Sequence, residues 1–147
     1  MESEKVLGIL NRARAEELAC IQLYAQNARF LEESGHSFLA WMFRDQMAEE
    51  VMHARWLSAR ILALGGTPTH EPAAWCRKRG ARRGAPSVRR MIREAGALER
   101  RELALYEKAI LECALSGDLE TKVMLEHILD VEGNHQDQWA RLLTARD

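Results

Sequence analysis

The chain has 147 residues, 47% hydrophobic and 29% charged, with 21 basic against 22 acidic side chains and a formal net charge of −1. That length suits one domain with a real core, and the balance is that of a soluble globular protein. No apolar run approaches the ~20 residues that span a bilayer, the acidic start Met1-Glu2-Ser3-Glu4-Lys5 is unlike a signal peptide, and Cys20, Cys76 and Cys113 follow no CxxC spacing, which argues against a disulfide framework or a zinc ribbon.

Residues 4–33 read as the first helix. Leu7, Leu10, Arg14, Glu17, Ile21, Tyr24 and Ala28 recur at intervals of three and four. Ser34-Gly35-His36 stops it, with Gly35 a good residue just past a helix end. Ser37 is the expected cap of a second helix, 37–64, which Gly65-Gly66-Thr67-Pro68 ends. Residues 65–86 hold all three prolines and read as one long irregular connection. Ser87 is the expected cap of a third helix, 87–115. Ser116-Gly117-Asp118 is a tight turn before a fourth, 118–145. No strand pattern is present. The predicted fold class is therefore all-α: a single-domain four-helix bundle, 1–147, of two antiparallel hairpins joined by a long crossover. Extended, the connection spans up to ~70 Å, enough to return the chain over a whole helix.

Two segments on these helices share a pattern. Glu50-Val51-Met52-His53 and Glu132-Gly133-Asn134-His135 are both E-x-x-H, and 33 residues before each stands another glutamate, Glu17 and Glu99. Tyr24 and Tyr106 follow those glutamates at plus seven, so the set repeats at an offset of 82 residues. Glu and His at i and i+3 share one helix face and can grip one metal. Counted from the turns near 35 and 117, all four glutamates lie level, in the middle of the bundle. A carboxylate there is costly unless paired, hydrogen-bonded or bound to metal. A lone E-x-x-H means little, since Glu33-Ser34-Gly35-His36 is a third copy that runs into a turn. Six residues in agreement mean more: two metal ions held by Glu17, Glu50, His53, Glu99, Glu132 and His135. Carboxylates with imidazoles and no thiolate suit iron or manganese, with zinc able to compete. The natural arrangement has Glu50 and Glu132 bridging, with Glu17 and His53 at one end and Glu99 and His135 at the other.

With those residues in place, the chain resembles the ferritin-like superfamily, and within it bacterioferritin, over residues about 4–145. The resemblance rests on the stretch Glu17-Leu18-Ala19-Cys20-Ile21-Gln22-Leu23-Tyr24, on Glu50-x-x-His53-Ala54 followed by Ile61-Leu62-Ala63-Leu64-Gly65-Gly66-Thr67-Pro68, and on Glu132-Gly133-Asn134-His135. It implies a ferroxidase, with the six ligands as catalytic residues oxidising Fe(II) at a di-iron centre with dioxygen or hydrogen peroxide. It also implies storage of the ferric product in a homo-oligomeric shell; the expected cytoplasmic location follows from the acidic start without signal-peptide features.

Three positions depart from the family. Bacterioferritin carries a haem-ligating Met directly after the second-helix glutamate; here that residue is Val51, so haem is not expected, and Met52 reads as ordinary packing. The chain ends twelve residues after His135, where bacterioferritin has a fifth helix, so a dimer or a smaller shell stays open. Glu102 follows Glu99 at i+3, as in the related rubrerythrin peroxidases, although a surface residue between Arg101 and Leu103 is the plainer reading.

Tyr24 and Tyr106 are either supports for the ligating carboxylates or packed aromatics. Trp41, Trp56, Trp75 and Trp139 read as core or subunit contacts, and Cys20 as a buried inert thiol. Residues 65–93 hold eight basic side chains (Arg77, Lys78, Arg79, Arg82, Arg83, Arg89, Arg90, Arg93) against Glu71, a net of +7. A solvated loop is the simple account; a contact with DNA phosphates is the sharper one, favouring a DNA-protecting or structural protein.

Overall fold

In the computed structural model, the described backbone covers residues 2–79 and 87–145, and the described side chains cover 3–76 and 87–145. The helices are α1 Glu2–Glu33, α2 Ser37–Ala63, α3 Ala74–Arg79, α4 Val88–Ser116 and α5 Leu119–Ala145. There is no strand among the described residues. α1 packs along α2 and α4 along α5, and the two hairpins meet through α1 with α4 and α2 with α5. This is the expected all-α four-helix bundle of two hairpins with one long crossover.

Both hairpin turns are closed by the same device. Gly35 and Gly117 adopt left-handed φ values of 83° and 78°. The next amide then reaches back across the helix end: His36 N donates to Leu31 O at 2.7 Å and Asp118 N to Cys113 O at 3.0 Å. A side chain with a Cβ meets a penalty in that conformation, which glycine avoids. Ser37 is not the cap of α2. It is the first helical residue, His36 occupies the cap position without a side-chain bond, and Ser37 Oγ turns back to Glu32 at 3.4 Å. Ser87 does cap α4, accepting from Arg90 N at 3.2 Å. Asp118 precedes α5 rather than opening it, accepting from Thr121 N at 3.1 Å.

The connection after α2 is more ordered than its prolines suggest. It contains α3, which sequence reading treated as irregular, and it is strapped onto α1. Asn11 Nδ2 donates to Thr67 O at 3.0 Å, Asn11 Oδ1 accepts from Thr69 N at 2.7 Å, and Ala73 N donates to Ala15 O at 2.9 Å. Trp75 Nε1 donates to Glu16 Oε2 at 2.7 Å. Backbone groups that would otherwise be orphaned are thus satisfied by side and main chain of the first helix. Of the basic cluster, Arg82 and Arg83 and the side chains of Arg77, Lys78 and Arg79 lie outside the described residues.

The core is split in two. At one end Leu23, Tyr24, Leu31, Phe43, Met91, Ile92 and Trp139 pack together. At the other end Leu10, Leu57, Ile61, Tyr106, Leu125 and Ile128 do so. Each cluster draws on both hairpins, so both ends resist splaying. Deleting a large side chain such as Leu10 costs about 2–5 kcal/mol. Between the two apolar plugs lies a belt of buried acids.

Candidate metal centre

Each long helix delivers its acids to the same level. α1 carries Glu17; α2 carries Glu50 and His53; α4 carries Glu99 and Glu102; α5 carries Glu132 and His135. All seven are at most 2% exposed. The i, i+3 spacing that puts Glu and His on one helix face holds for both E-x-x-H pairs. The third copy is elsewhere, since Glu33 and His36 are exposed at the first turn.

Ligand-capable atoms of Glu17, Glu50, His53 and Glu132 lie within 4.8 Å of one another, and so do those of Glu50, Glu99, Glu132 and His135. The two groups share Glu50 and Glu132, the pair that sequence reading set between the two positions. His53 Nδ1 is 2.9 Å from Glu132 Oε1, 3.1 Å from Glu50 Oε2 and 3.5 Å from Glu17 Oε1. His135 Nδ1 is 3.0 Å from Glu50 Oε1, 3.5 Å from Glu132 Oε2 and 3.6 Å from Glu99 Oε1. Both imidazoles therefore aim the same nitrogen at the carboxylates. The other nitrogen of His135 stands 3.3 Å from Glu49 Oε2. This is an ion-pair contact with a part-exposed carboxylate, and His135 Nε2 has no hydrogen-bond partner. Glu49 has no counterpart in the repeated spacing, which is why sequence reading missed it.

The tyrosines act crosswise. Tyr24 of α1 donates to Glu99 Oε1 of α4 at 2.6 Å, and Tyr106 of α4 donates to Glu17 of α1. Each half of the duplicated chain thus holds the carboxylate of the other. The sequence left open which carboxylate each tyrosine would reach; the antiparallel approach of α1 and α4 sets each beside the glutamate of the other helix.

Two expectations need correction. Glu102 is not a surface residue; it is 2% exposed and turned into the belt. Met52 is not packed in the core but half exposed, on the outward face of α2 with Phe38, Trp41 and Leu62. Of the tryptophans, Trp139 is fully buried and Trp41 is 56% exposed.

Burial and mutual bonding shift the acids of the belt in opposite directions. Burial, then the charge of Glu132, raises Glu17 above the ordinary carboxylate range. Burial raises Glu50 well above it, helped by Glu132, Glu17 and Glu99. Glu99 and Glu102 are raised as well, again chiefly by burial. Glu132 runs the other way. Burial would raise it, but hydrogen bonds with Glu99, His135, His53 and Glu50 outweigh that and hold it well below the usual range. Burial would lower His53, yet its bonds to Glu132, Glu17 and Glu50 push it up to about 12. His135 is raised in the same manner by Glu132, Glu50 and Glu99.

The residues fit a pair of hard divalent ions. Oε2 of Glu17, Glu99 and Glu132 are buried without a hydrogen-bond partner. Orphaned buried carboxylate oxygens are expensive, and metal coordination satisfies them without adding donors. The donor set, mainly carboxylate with two imidazoles, suits iron or manganese.

Fold and site together define a four-helix bundle with a buried carboxylate–imidazole cluster at its waist. A model of the ferritin-like domain matches residues 7–146, and the chain belongs to the ferritin-like family. It is 32% identical to the bacterioferritin of Rhodobacter capsulatus over 133 residues, covering 90% of this chain and 79% of that one. Its fold superposes on a ferritin-like diiron-carboxylate protein of Bacillus anthracis with a TM-score of 0.86 at 29% identity, over 97% of this chain and 98% of that one. It also superposes on the bacterioferritin of Desulfovibrio desulfuricans, whose diiron site is known in different catalytic states, with a TM-score of 0.88 at 25% identity, over 97% and 80%. Among the described residues no helix is long and apolar enough to cross a membrane.

Proposed function

We propose that this chain is a ferroxidase. It binds two ferrous ions as substrate, one among Glu17, Glu50, His53 and Glu132 and one among Glu50, Glu99, Glu132 and His135, and their electrons pass to dioxygen or hydrogen peroxide. The observation that carries this is the pair of buried four-residue groups sharing two carboxylates. Two adjacent ferrous ions supply two electrons, the number that takes dioxygen to hydrogen peroxide, or hydrogen peroxide to two waters, with two protons consumed either way. Four carboxylates balance the charge of two divalent ions. Glu50 and Glu132 span both positions and set the spacing. Tyr24 and Tyr106 hold Glu99 and Glu17 in orientation through their hydroxyls. The apolar plugs above and below exclude bulk water and strengthen every electrostatic contact between them.

Anaerobic mixing of the protein with Fe(II), followed by stopped-flow exposure to dioxygen or to peroxide, tests the reading. Ferric absorbance should grow faster than in protein-free buffer at the same pH, and Glu132→Ala should remove the acceleration. No acceleration with either oxidant refutes it. The relatives named bacterioferritin support a further step, storage of the ferric product by an assembly of chains. The stripe of Phe38, Trp41, Met52 and Leu62 on α2, each at least half exposed, is the surface suited to self-association. Sedimentation of the iron-loaded protein separates a mineral-holding shell from a dimer.

A second reading is favoured by Glu102, an additional buried acid on α4. A peroxidase of the rubrerythrin kind would reduce hydrogen peroxide repeatedly with electrons from an external donor. Multiple turnovers with peroxide and a chemical reductant, with no ferric product accumulating, mark that alternative.

A further inference from the structure

A third cluster adjoins the two four-residue groups. Cys20 Sγ, a carboxylate oxygen of Glu99 and one of Glu102 lie within 4.8 Å of one another, and all three residues are buried. Tyr24 occupies Glu99 Oε1, which leaves Glu99 Oε2 without a partner, and Glu102 Oε2 is buried without one as well. The cluster is not an accident of one loop. The 82-residue offset that relates Glu17 to Glu99 also relates Cys20 to Glu102. Both follow a ligand glutamate by three residues on the inward face of their helices, and α1 packs against α4. The matched positions of the two halves therefore meet.

Charge makes the cluster informative. Two divalent ions match the four carboxylates Glu17, Glu50, Glu99 and Glu132. Glu102 is a fifth, 2% exposed and at the same level. A buried carboxylate without a counter-charge is costly. Burial raises both the Glu102 carboxyl and the Cys20 thiol, so each holds a proton that an arriving divalent ion would displace, and the thiolate and carboxylate left behind would match its charge.

We propose that Cys20, Glu102 and the free oxygen of Glu99 form a third metal position, which takes a thiophilic divalent cation such as zinc, cobalt or ferrous iron. The Cys20 S–H proton and the Glu102 carboxyl proton are released as the sulfur–metal and oxygen–metal bonds form, and no oxidant or reductant is needed. The position shares Glu99 with the dinuclear centre, so it rests on that reading in part.

Cobalt(II) is the probe, added anaerobically to the metal-free full-length chain with its thiols reduced. The wild-type protein should bind a third equivalent beyond two, and that equivalent should bring an intense near-ultraviolet thiolate-to-cobalt charge-transfer band. Cys20→Ser should lose the band and the third equivalent while keeping the first two. Cys76→Ser and Cys113→Ser should keep both features. Glu102→Gln should lose the third equivalent with helicity unchanged, and it carries the test alone if Cys20→Ser does not fold. Saturation of the wild type at two equivalents without the band overturns the third position and leaves the ferroxidase reading standing. Persistence of the band in Cys20→Ser also overturns it. A wild-type chain that binds no cobalt at all refutes both.

Discussion

Replacing Glu50 with Gln separates the role of the bridge from the stability of the bundle. If two divalent ions bind only the folded chain, each contributes RT ln(1 + [L]/Kd), about 2.7 kcal/mol at a hundredfold excess over Kd, or about 5.4 kcal/mol for two. For 147 residues the unfolding entropy near 60 °C is about 0.3 kcal/mol per degree, so the metal-dependent rise in Tm is roughly 15–20 °C. Glu50 reaches both imidazoles, 3.1 Å to His53 and 3.0 Å to His135, so Glu50→Gln should remove most of that rise. The metal-free variant should behave otherwise. Burial, with the charges of Glu132, Glu17 and Glu99, raises Glu50 well above its ordinary value. A carboxyl so raised binds its proton more tightly folded than unfolded. Its contribution to stability is present below the unfolded pKa of about 4.3 and is lost as pH rises through the folded value. Gln mimics the protonated acid and does not titrate. Metal-free Glu50→Gln should therefore match or exceed the wild type in Tm at neutral pH. Thermal melts by circular dichroism, with chelator and with excess Mn(II) or anaerobic Fe(II), read both quantities, with exposed Glu107→Gln as control. A full metal-dependent rise retained in Glu50→Gln refutes the bridging role.

The tyrosine exchange makes a second prediction. Tyr24→Phe and Tyr106→Phe should each lower metal-free stability in urea by about 1–3 kcal/mol, because each leaves a buried carboxylate oxygen without its donor. Asp118 offers a pH test. Burial acts to raise it, but bonds from the Thr121 side chain and backbone and from Arg60 outweigh burial and lower it. A depressed carboxyl stabilises above its unfolded pKa of about 3.9 and loses that contribution as pH falls through the folded value. Asp118→Asn should thus cost about 1–2 kcal/mol at pH ~7 and much less near pH ~3, read from urea curves at both. Expression with added haem should give no stoichiometric Soret band, because Val51 offers no sulfur. A band abolished by Met52→Ala would show that the exposed methionine beside it serves instead.

Helices and turns were legible because their signals are local. Periodicity, Gly35 and Gly117 at the hairpins, and the Ser87 cap all act within a few residues of where they stand. The meeting of the four glutamates and two histidines was legible for another reason: equal spacing to equal turns forces level positions on antiparallel helices. What escaped depends on approach between elements. Glu102 reads as a surface acid between Arg101 and Leu103, and only the packing of α4 against α1 buries it. The strapping of the crossover depends on Asn11, Ala15 and Glu16, residues on a helix that ends about forty residues before α3 begins, in no visible register with it. Ser37 misled because a serine at a helix start is a cap only when it precedes the first helical residue, and the Gly35 turn brings the chain into α2 one residue early.

The duplication explains more than the ligands. A chain with one motif set per hairpin, folded so that α1 meets α4, places like residues opposite like residues. The exchange of tyrosines follows, because each lies two turns beyond its own glutamate and so beside the glutamate of the antiparallel partner. The same geometry brings Cys20 opposite Glu102, a buried pair in which the two halves differ in chemistry. Symmetry at this point would have set two carboxylates or two thiols face to face near an already acidic centre. Two carboxylates would add a sixth buried charge, and two thiols could oxidise to a disulfide. One of each avoids both, leaving a soft and a hard donor side by side next to Glu99. The asymmetry of Cys20 and Glu102 lies where α1 and α4 touch, and that is the edge at which substitution should change metal preference without disturbing the shared carboxylates.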